Sequence, residues 1–220
     1  LVKDFGVEGS RISTVHLAPD PRCRPRHESE CRHALDALGL SHKAFFLSVG
    51  TIEPRKNLLR VFEAFRAGRR ASHFDWPLIV VGASGWKSSR EHEMLDELIK
   101  DGLALYLDYV TDDTLLTLYA SAGALVFPSL YEGFGLPALE AAACGCPVIT
   151  SEHSAMAEFA PEQTLFVNPE DVSSISDALK AIPSRSEFGS GFDVSTQAAA
   201  RTWVDVAQET SDVYRAALQG

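Results

Sequence analysis

The chain has 220 residues, of which 45% are hydrophobic and 23% are charged, a composition typical of a globular protein that buries one sizeable core. Its formal net charge of −10 argues against a general role on nucleic acid or anionic lipid, although a local basic pocket remains compatible with it. The four cysteines are too few for a disulfide scaffold. The sequence contains no run of about 18 apolar residues, so we expect no segment to insert directly into a membrane.

Short apolar runs alternate with helical patterns along the middle of the chain. The runs are Ala44–Val49, Pro77–Gly82, Leu103–Leu107, Ala124–Pro128, Pro147–Thr150 and Thr164–Val167. Most are apolar at successive positions, which is typical of strands buried on both faces of a parallel sheet. We therefore predict an α/β fold: a single Rossmann-like, doubly wound parallel sheet of about six strands with helices on both faces.

The helical patterns carry their own start signals and inward faces. Asn57 is predicted to cap the first of them through its side chain, and Thr111 the third. In the second, residues 88–100, we expect Leu95, Leu98 and Ile99 to point inward. Two further helices are predicted from near Pro137 to Gly145 and over Asp171–Ile182. Cys144 and Cys146 are interpreted as buried, reduced thiols.

The two ends differ from this middle, and we divide the chain into an entry segment and interdomain linker (1–43), a domain (44–185) and a C-terminal helical segment (186–220). Residues 18–34 are rich in Pro, Arg, Cys and His and are interpreted as linker, because the Cys and His spacing fits no standard zinc site. One face of residues 202–217 carries Trp203, Val206, Ala207, Thr210, Val213 and Tyr214. This helix either packs on the domain or reaches toward an absent partner domain.

The loop after the fourth predicted strand carries the most informative residues. Ligands of doubly wound sheets bind at the carboxyl ends of the strands. Gly133 and Gly135 allow the backbone to turn sharply there, and Pro137 suits the first turn of a helix. The amide groups of Phe134, Gly135 and Leu136 would then point at a ligand in front of the helix, where the helix dipole favours a phosphate.

Two carboxylates bracket this turn. Glu132 lies in the loop and Glu140 about one helical turn into the helix. A carboxylate repels a phosphate, so we expect these two acids to bind another part of the ligand. Carboxylates are good hydrogen-bond acceptors for vicinal hydroxyls. The pair can therefore hold a sugar and a ribose with a diphosphate between them.

These residues carry a resemblance. Glu132-x7-Glu140, within Tyr-Glu-Gly-Phe-Gly-Leu-Pro, resembles the motif of family 4 retaining glycosyltransferases, and the domain resembles the C-terminal half of their GT-B fold. The other similar segments are Gly50–Asn57, Val80–Trp86, Tyr109–Asp113, Gly145–Ser151 and Val167–Asp171. The similarity covers 44–182 and the C-terminal helix.

The resemblance implies a role for each matched residue. The catalytic group would be Lys56, Arg55 and Glu132, and the donor-binding group would be Gly50, Val110, Gly133, Phe134, Gly135, Leu136 and Glu140. Lys56 and Arg55 would neutralise the donor diphosphate. Val110 would contact the base through its backbone, and Gly135 and Leu136 would donate amides to phosphate. Glu132 would bind sugar hydroxyls without acting as a nucleophile, and Glu140 would bind the ribose.

The implied reaction transfers a hexose, with mannose slightly favoured, from a GDP- or UDP-sugar to a glycan or lipid-linked acceptor with retention. The chain contains no Asp-x-Asp, so neither a metal nor another cofactor is expected. An N-terminal acceptor-binding domain would be missing, and the enzyme would be cytoplasmic, peripheral at the inner membrane face through that domain. The alternative is a non-catalytic nucleotide-binding module that docks a partner domain. A nucleotide-sugar epimerase is disfavoured by the two glutamates.

Overall fold

The computed structural model describes residues 2–158, 160, 164–184 and 201–219. The strands are β1 (Phe46–Val49), β2 (Leu78–Val81), β3 (Ala104–Leu107), β4 (Ala124–Phe127), β5 (Val148–Ser151) and β6 (Leu165–Val167). The α-helices are α1 (Val2–Phe5), α2 (Glu28–Leu38), α3 (Leu58–Arg70), α4 (Ser89–Lys100), α5 (Asp112–Ser121), α6 (Leu136–Ala143), α7 (Val172–Ala181) and α8 (Trp203–Gln219). Each predicted apolar run overlaps a strand whose ends lie within two residues of the predicted ones.

The six strands form one parallel sheet in the order β3-β2-β1-β4-β5-β6. Phe46 of β1 lies opposite Leu78 of β2 on one side and Ala124 of β4 on the other. The order of the strands reverses between β1 and β4, so the loops that follow these two strands border one crevice at the carboxyl edge of the sheet. The predicted α/β, doubly wound fold is confirmed.

Each face of the sheet is covered by its own set of helices. Because successive residues of a strand point to opposite faces, Leu47 packs with residues of α2, α5 and α6, whereas Phe46 packs with residues of α3, α4 and α7. Cys144 and Cys146 are free thiols buried in the first of these layers, as predicted. Burial of both faces explains why the strands are apolar at successive positions.

The linker interpretation of residues 18–34 is wrong from Glu28 onward. Glu28 begins α2, and Cys31 and Leu35 of this helix are buried in the sheet's first helical layer. His27 supplies the N-cap by accepting a hydrogen bond from the Ser29 amide. Within the described ranges no three His, Cys, Asp or Glu side chains are grouped in a way that could hold a metal ion.

Two smaller predictions about helices also need correction. Asn57 is the N-cap residue of α3, as predicted, but its side chain makes no capping hydrogen bond: its backbone is left-handed (φ 61°), and its Nδ2 donates instead to the carbonyls of Pro128 (3.0 Å) and Pro169 (2.7 Å). Ile99 is 38% exposed rather than inward, because Leu95 and Leu98 fill the buried side of α4. The predicted cap of α5 is confirmed, since Thr111 accepts from the Thr114 amide.

The C-terminal helix α8 lies largely in solvent. Val206 is its one buried residue among those described, whereas Trp203 is 45% and Tyr214 is 67% exposed. Arg201, just before the helix, donates to the carbonyl of His16 and pairs with Glu209. Packing on the core of this domain therefore does not explain the aromatic face. Residues 186–200 and 220 of the predicted C-terminal segment, and residue 185 of the predicted domain, lie outside the described residues.

Candidate functional site

The crevice between the carboxyl ends of β1 and β4 brings together two loops that are about 75 residues apart in sequence. The Leu130 amide donates to the Arg55 carbonyl (2.8 Å), and the side-chain bond from Asn57 to the Pro128 carbonyl adds a second link. Asn57 also reaches the loop after β6 through the Pro169 carbonyl. The left-handed backbone at Asn57 is therefore used to join three loops at one edge of the sheet.

Three predicted site residues form an ionic cluster in this crevice. Lys56 Nζ donates to Glu132 Oε1 at 2.7 Å, and Arg55 Nη1 donates to Glu132 Oε2 at 2.8 Å. The side chains of Lys56 and Glu132 are only 10% and 8% exposed. Each oxygen of one carboxylate is thus engaged by its own cation, which fixes the orientation of Glu132.

The Lys56 side chain is positioned by a glycine. Gly50 has φ 136°, and a Cβ added to it would lie 3.1 Å from Lys56 Cε and 3.3 Å from Nζ. The ammonium group also lies over the Phe127 ring, 4.7 Å from its centroid. Gly50 therefore provides the space in which the ammonium group of Lys56 crosses the end of β1.

The start of α6 lies in the same loop as Glu132. Gly135 is the N-cap residue and has the left-handed φ of 96° that glycine favours, and Pro137 occupies the first turn, as predicted. Gly133 lies in a bend but is not left-handed, and a Cβ there would meet no protein atom within 4 Å, so a close approach to a ligand stays a prediction. Leu136 begins the helix, and the Phe134 ring lies 6.1 Å from the ring of His16.

Glu140 lies beside a different set of residues. It borders a cavity of about 110 Å³ that is also lined by Asp20, Arg22, Asp112, Leu115, Leu116 and Tyr119. Burial raises the pKa of Glu140, the negative charge of Asp20 raises it further, and the Tyr119 hydroxyl opposes this rise. That hydroxyl is buried and makes no well-formed hydrogen bond among the described residues.

Val110 lies between β3 and the start of α5, half-buried against the same core layer as Leu115. Its position next to the Thr111 cap puts its backbone near the rim of the Glu140 cavity, which Asp112 also lines. The structure thus divides the predicted residues into an ionic cluster in the crevice and a half-buried carboxyl beside a small cavity.

Replacing Glu140 by Gln tests the raised pKa. The neutral form of Glu140 is favoured in the folded state, so its contribution to stability is present below the ordinary pKa of 4.5 and is lost as the pH rises through the raised value. Glu140→Gln is therefore expected to raise the Tm at pH 7 by roughly 2–4 °C, the shift that about 1 kcal/mol produces in a chain of this size. The difference should disappear near pH 4 in thermal melts, and an equal gain at both pH values would contradict the assignment.

Two residues beside these sites, Glu53 at the crevice and Arg22 at the cavity, were given no role from the sequence. Glu53 is buried and contacts both Arg55 and Trp86. Arg22 pairs with Asp20 and with Asp112 at the start of α5, and so ties the entry segment to the rim of the cavity. An acid two residues before Arg55 was a weak local signal for Glu53, but nothing in the sequence places Arg22 next to α5.

Comparison with known proteins agrees with this geometry. This chain superposes over its whole length on 60% of a solved glycosyltransferase from Rickettsia africae, with a TM-score of 0.81 at 13% identity. The Anabaena protein Alr3699/HepE, solved with UDP and glucose, gives a TM-score of 0.74 at 15% identity and covers 92% of this chain and 56% of its own. These two likenesses, at 13% and 15% identity, show the fold: an α/β domain built on a six-stranded parallel sheet with helices on both faces.

The family follows from sequence similarity. Residues 36–189 match the model of the glycosyl transferases group 1 family, and the chain belongs to that family. It is 36% identical to the O-antigen chain mannosyltransferase B of Escherichia coli over 176 residues, which are 80% of this chain and 46% of that protein. The chain is therefore a glycosyltransferase domain that spans about half the length of this relative. Among the described residues, no helix is long and apolar enough to cross a membrane.

Proposed function

We propose that this chain is the donor-binding domain of a family 4 retaining glycosyltransferase that takes a hexose from a nucleoside diphosphate sugar. The observation that carries the proposal is the pairing of Lys56 and Arg55 with Glu132 in the crevice between β1 and β4, beside the start of α6. Two cations and the first-turn amides of a helix form a binding place for a diphosphate.

The nucleoside would occupy the cavity side of this arrangement. Glu140 is half-buried, so its ionised carboxylate has lost part of its hydration. Hydrogen bonds donated by the ribose hydroxyls would replace that water and stabilise the charge. Val110 at the rim would offer its backbone to the base. Gly135 and Leu136, between Glu132 and Glu140, would present their amides to the phosphates.

Glu132 suits the donor sugar better as a hydroxyl acceptor than as a nucleophile. Lys56 and Arg55 already engage both of its oxygens, and this pairing reduces the reactivity of the carboxylate. For transfer with retention we propose front-face attack. A bond forms between the acceptor oxygen and the anomeric carbon, the bond from that carbon to the phosphate oxygen breaks, and the leaving phosphate takes the acceptor proton. Lys56, Arg55 and the helix start would stabilise the departing charge without a metal ion.

Mannose is the favoured sugar because the E. coli relative is a mannosyltransferase by name, and O-antigen assembly supports a polysaccharide acceptor. UDP stays a candidate nucleotide beside GDP, since the Anabaena neighbour was solved with UDP and glucose. The acceptor would bind a second, N-terminal domain, and any peripheral attachment to the cytoplasmic membrane face would reside there. We expect this chain alone to bind donor and to transfer little or none of it.

Calorimetric titration of the chain with GDP, UDP, GDP-mannose and UDP-glucose tests the proposal. One nucleotide family should bind, and Glu140→Gln should weaken it by about 1.5–3 kcal/mol, roughly 10- to 150-fold, because the ribose loses a charged acceptor. Affinity should also fall as the pH drops through the raised pKa of Glu140 in the wild type. If none of the four compounds binds, the alternative is favoured: a non-catalytic module that docks a partner domain.

A further inference from the structure

Glu53 is a buried carboxylate that the proposed function leaves without a role. Its residue exposure is 8%, and it lies at the carboxyl end of β1 in extended backbone (φ −147°), just before the 3₁₀ turn Pro54–Lys56. The Glu53 carbonyl accepts from the Lys56 amide at 3.0 Å, which closes this turn. A buried carboxylate is costly unless its charge is paired and hydrogen-bonded.

Each oxygen of the Glu53 carboxylate contacts a different loop. Glu53 Oε1 forms an ion pair with Arg55 Nε at 2.6 Å. Glu53 Oε2 accepts a hydrogen bond from the Trp86 indole Nε1 at 2.9 Å. The Arg55 side chain is thereby held at both ends of its guanidinium group, by Glu53 at Nε and by Glu132 at Nη1.

The contacts with both carboxylates matter because Arg55 has the most exposed side chain of the cluster. Its side chain is 42% exposed, whereas its partners Glu53 and Glu132 are 10% and 8% exposed. An exposed arginine loses considerable rotamer entropy when it binds an anion. Two buried carboxylates that fix the guanidinium in advance remove much of that cost.

Trp86 extends the arrangement to the loop after β2. The indole is 59% exposed, yet Glu53 fixes its N–H, and Lys87 Nζ lies 5.4 Å from its ring centroid. The backbones of the two loops are joined as well, through the bridge between Ile52 and Ser84 and through the Gly85 amide, which donates to the Ile52 carbonyl. The positions of Arg55 and Trp86 are therefore linked, through the Glu53 carboxylate and through the backbones of their two loops.

We propose that Glu53 is a positioning residue for donor binding: it presents the Arg55 guanidinium to the diphosphate and couples its position to the Trp86 indole. This inference rests on the proposed function. It assigns no contact between Glu53 and the donor. Glu53→Gln should therefore weaken the recognition of the phosphates and leave recognition of the nucleoside unchanged.

The test compares GDP with guanosine, and UDP with uridine, by calorimetry on the wild type, Glu53→Gln, Arg55→Ala and the double variant. Glu53→Gln should lower diphosphate affinity by roughly 3- to 10-fold and nucleoside affinity by less than 2-fold, because a neutral amide no longer holds the guanidinium. In the Arg55→Ala background the same change should have no further effect. Glu97→Gln, which breaks the Arg66–Glu97 pair (2.7 Å) elsewhere, is the matched control and should leave both affinities unchanged.

Trp86 fluorescence gives a second readout, obtained by subtracting the emission of Trp86→Phe. GDP or UDP, whichever binds, should shift this emission in the wild type, and Glu53→Gln should abolish the shift. A further loss in the Arg55→Ala background, an equal loss for the nucleoside, or a retained shift would each overturn the role of Glu53 while the proposed function stands. A wild type that binds neither diphosphate would defeat the proposed function, and this inference with it.

Discussion

Replacing Lys56 by Met is expected to lower the affinity for the nucleoside diphosphate by about 2–4 kcal/mol, roughly 30- to 1,000-fold, with little change for the nucleoside. Methionine keeps an unbranched apolar side chain and removes the charge, together with the contact of the ammonium group with the Phe127 ring. The effect should be large because the Lys56 side chain is only 10% exposed, so water screens its charge little.

A second consequence follows from the pairing with Glu132. Without Lys56, Glu132 keeps one cation, Arg55, and its second oxygen is left buried without a partner. Lys56→Met should therefore also lower the Tm, and this loss should be partly reversed when Glu132 is replaced by Gln.

Calorimetry and thermal melts check both effects, with Lys100→Met at the exposed end of α4 as the control. In a protein that also carries the proposed acceptor-binding domain, the same change should slow transfer by 100-fold or more, since the charge of the leaving diphosphate loses a stabilising cation. Equal losses for diphosphate and nucleoside would show that Lys56 acts on the fold of the crevice rather than on the phosphates.

Replacing Gly50 by Ala is expected to damage stability and binding together. The φ of 136° is strained for any residue with a Cβ, which costs roughly 1–3 kcal/mol and lowers the Tm by roughly 2–12 °C. The new methyl group would lie 3.1 Å from Lys56 Cε and push the side chain away from Glu132. Diphosphate affinity should then fall by roughly 10-fold or more, although no charge has been removed.

The matched control is Gly9→Ala, since Gly9 is not left-handed and a Cβ there meets nothing within 4 Å. It should leave the Tm and both affinities unchanged. Gly50→Ala in the Lys56→Met background separates the two effects: the loss of stability from strain should persist, whereas the loss of binding should not increase. A full additional loss of binding there would mean that Gly50 contacts the donor directly.

The elements of the fold could be predicted from the sequence because their causes are local. Strands buried on both faces require apolar residues at every position, as in β2 and β4, and this requirement is visible in the sequence. Thr111 and Pro137 mark the starts of α5 and α6 through chemistry confined to one turn. The predicted side-chain cap at Asn57 failed because its side chain donates to carbonyls 71 and 112 residues away, and such distant contacts cannot be seen in a local pattern.

By itself, the sequence determined the parallel α/β architecture, the glycine turn before α6 and the residue types that gather at the carboxyl edge of the sheet. Only the tertiary structure decided which of them meet. The strand order sets β1 beside β4, and this places Lys56 and Arg55 on the two oxygens of Glu132. The packing of α2 and the burial of Glu53 under Arg55 and Trp86 follow from contacts between distant segments, because burial and charge pairing depend on what the fold brings near.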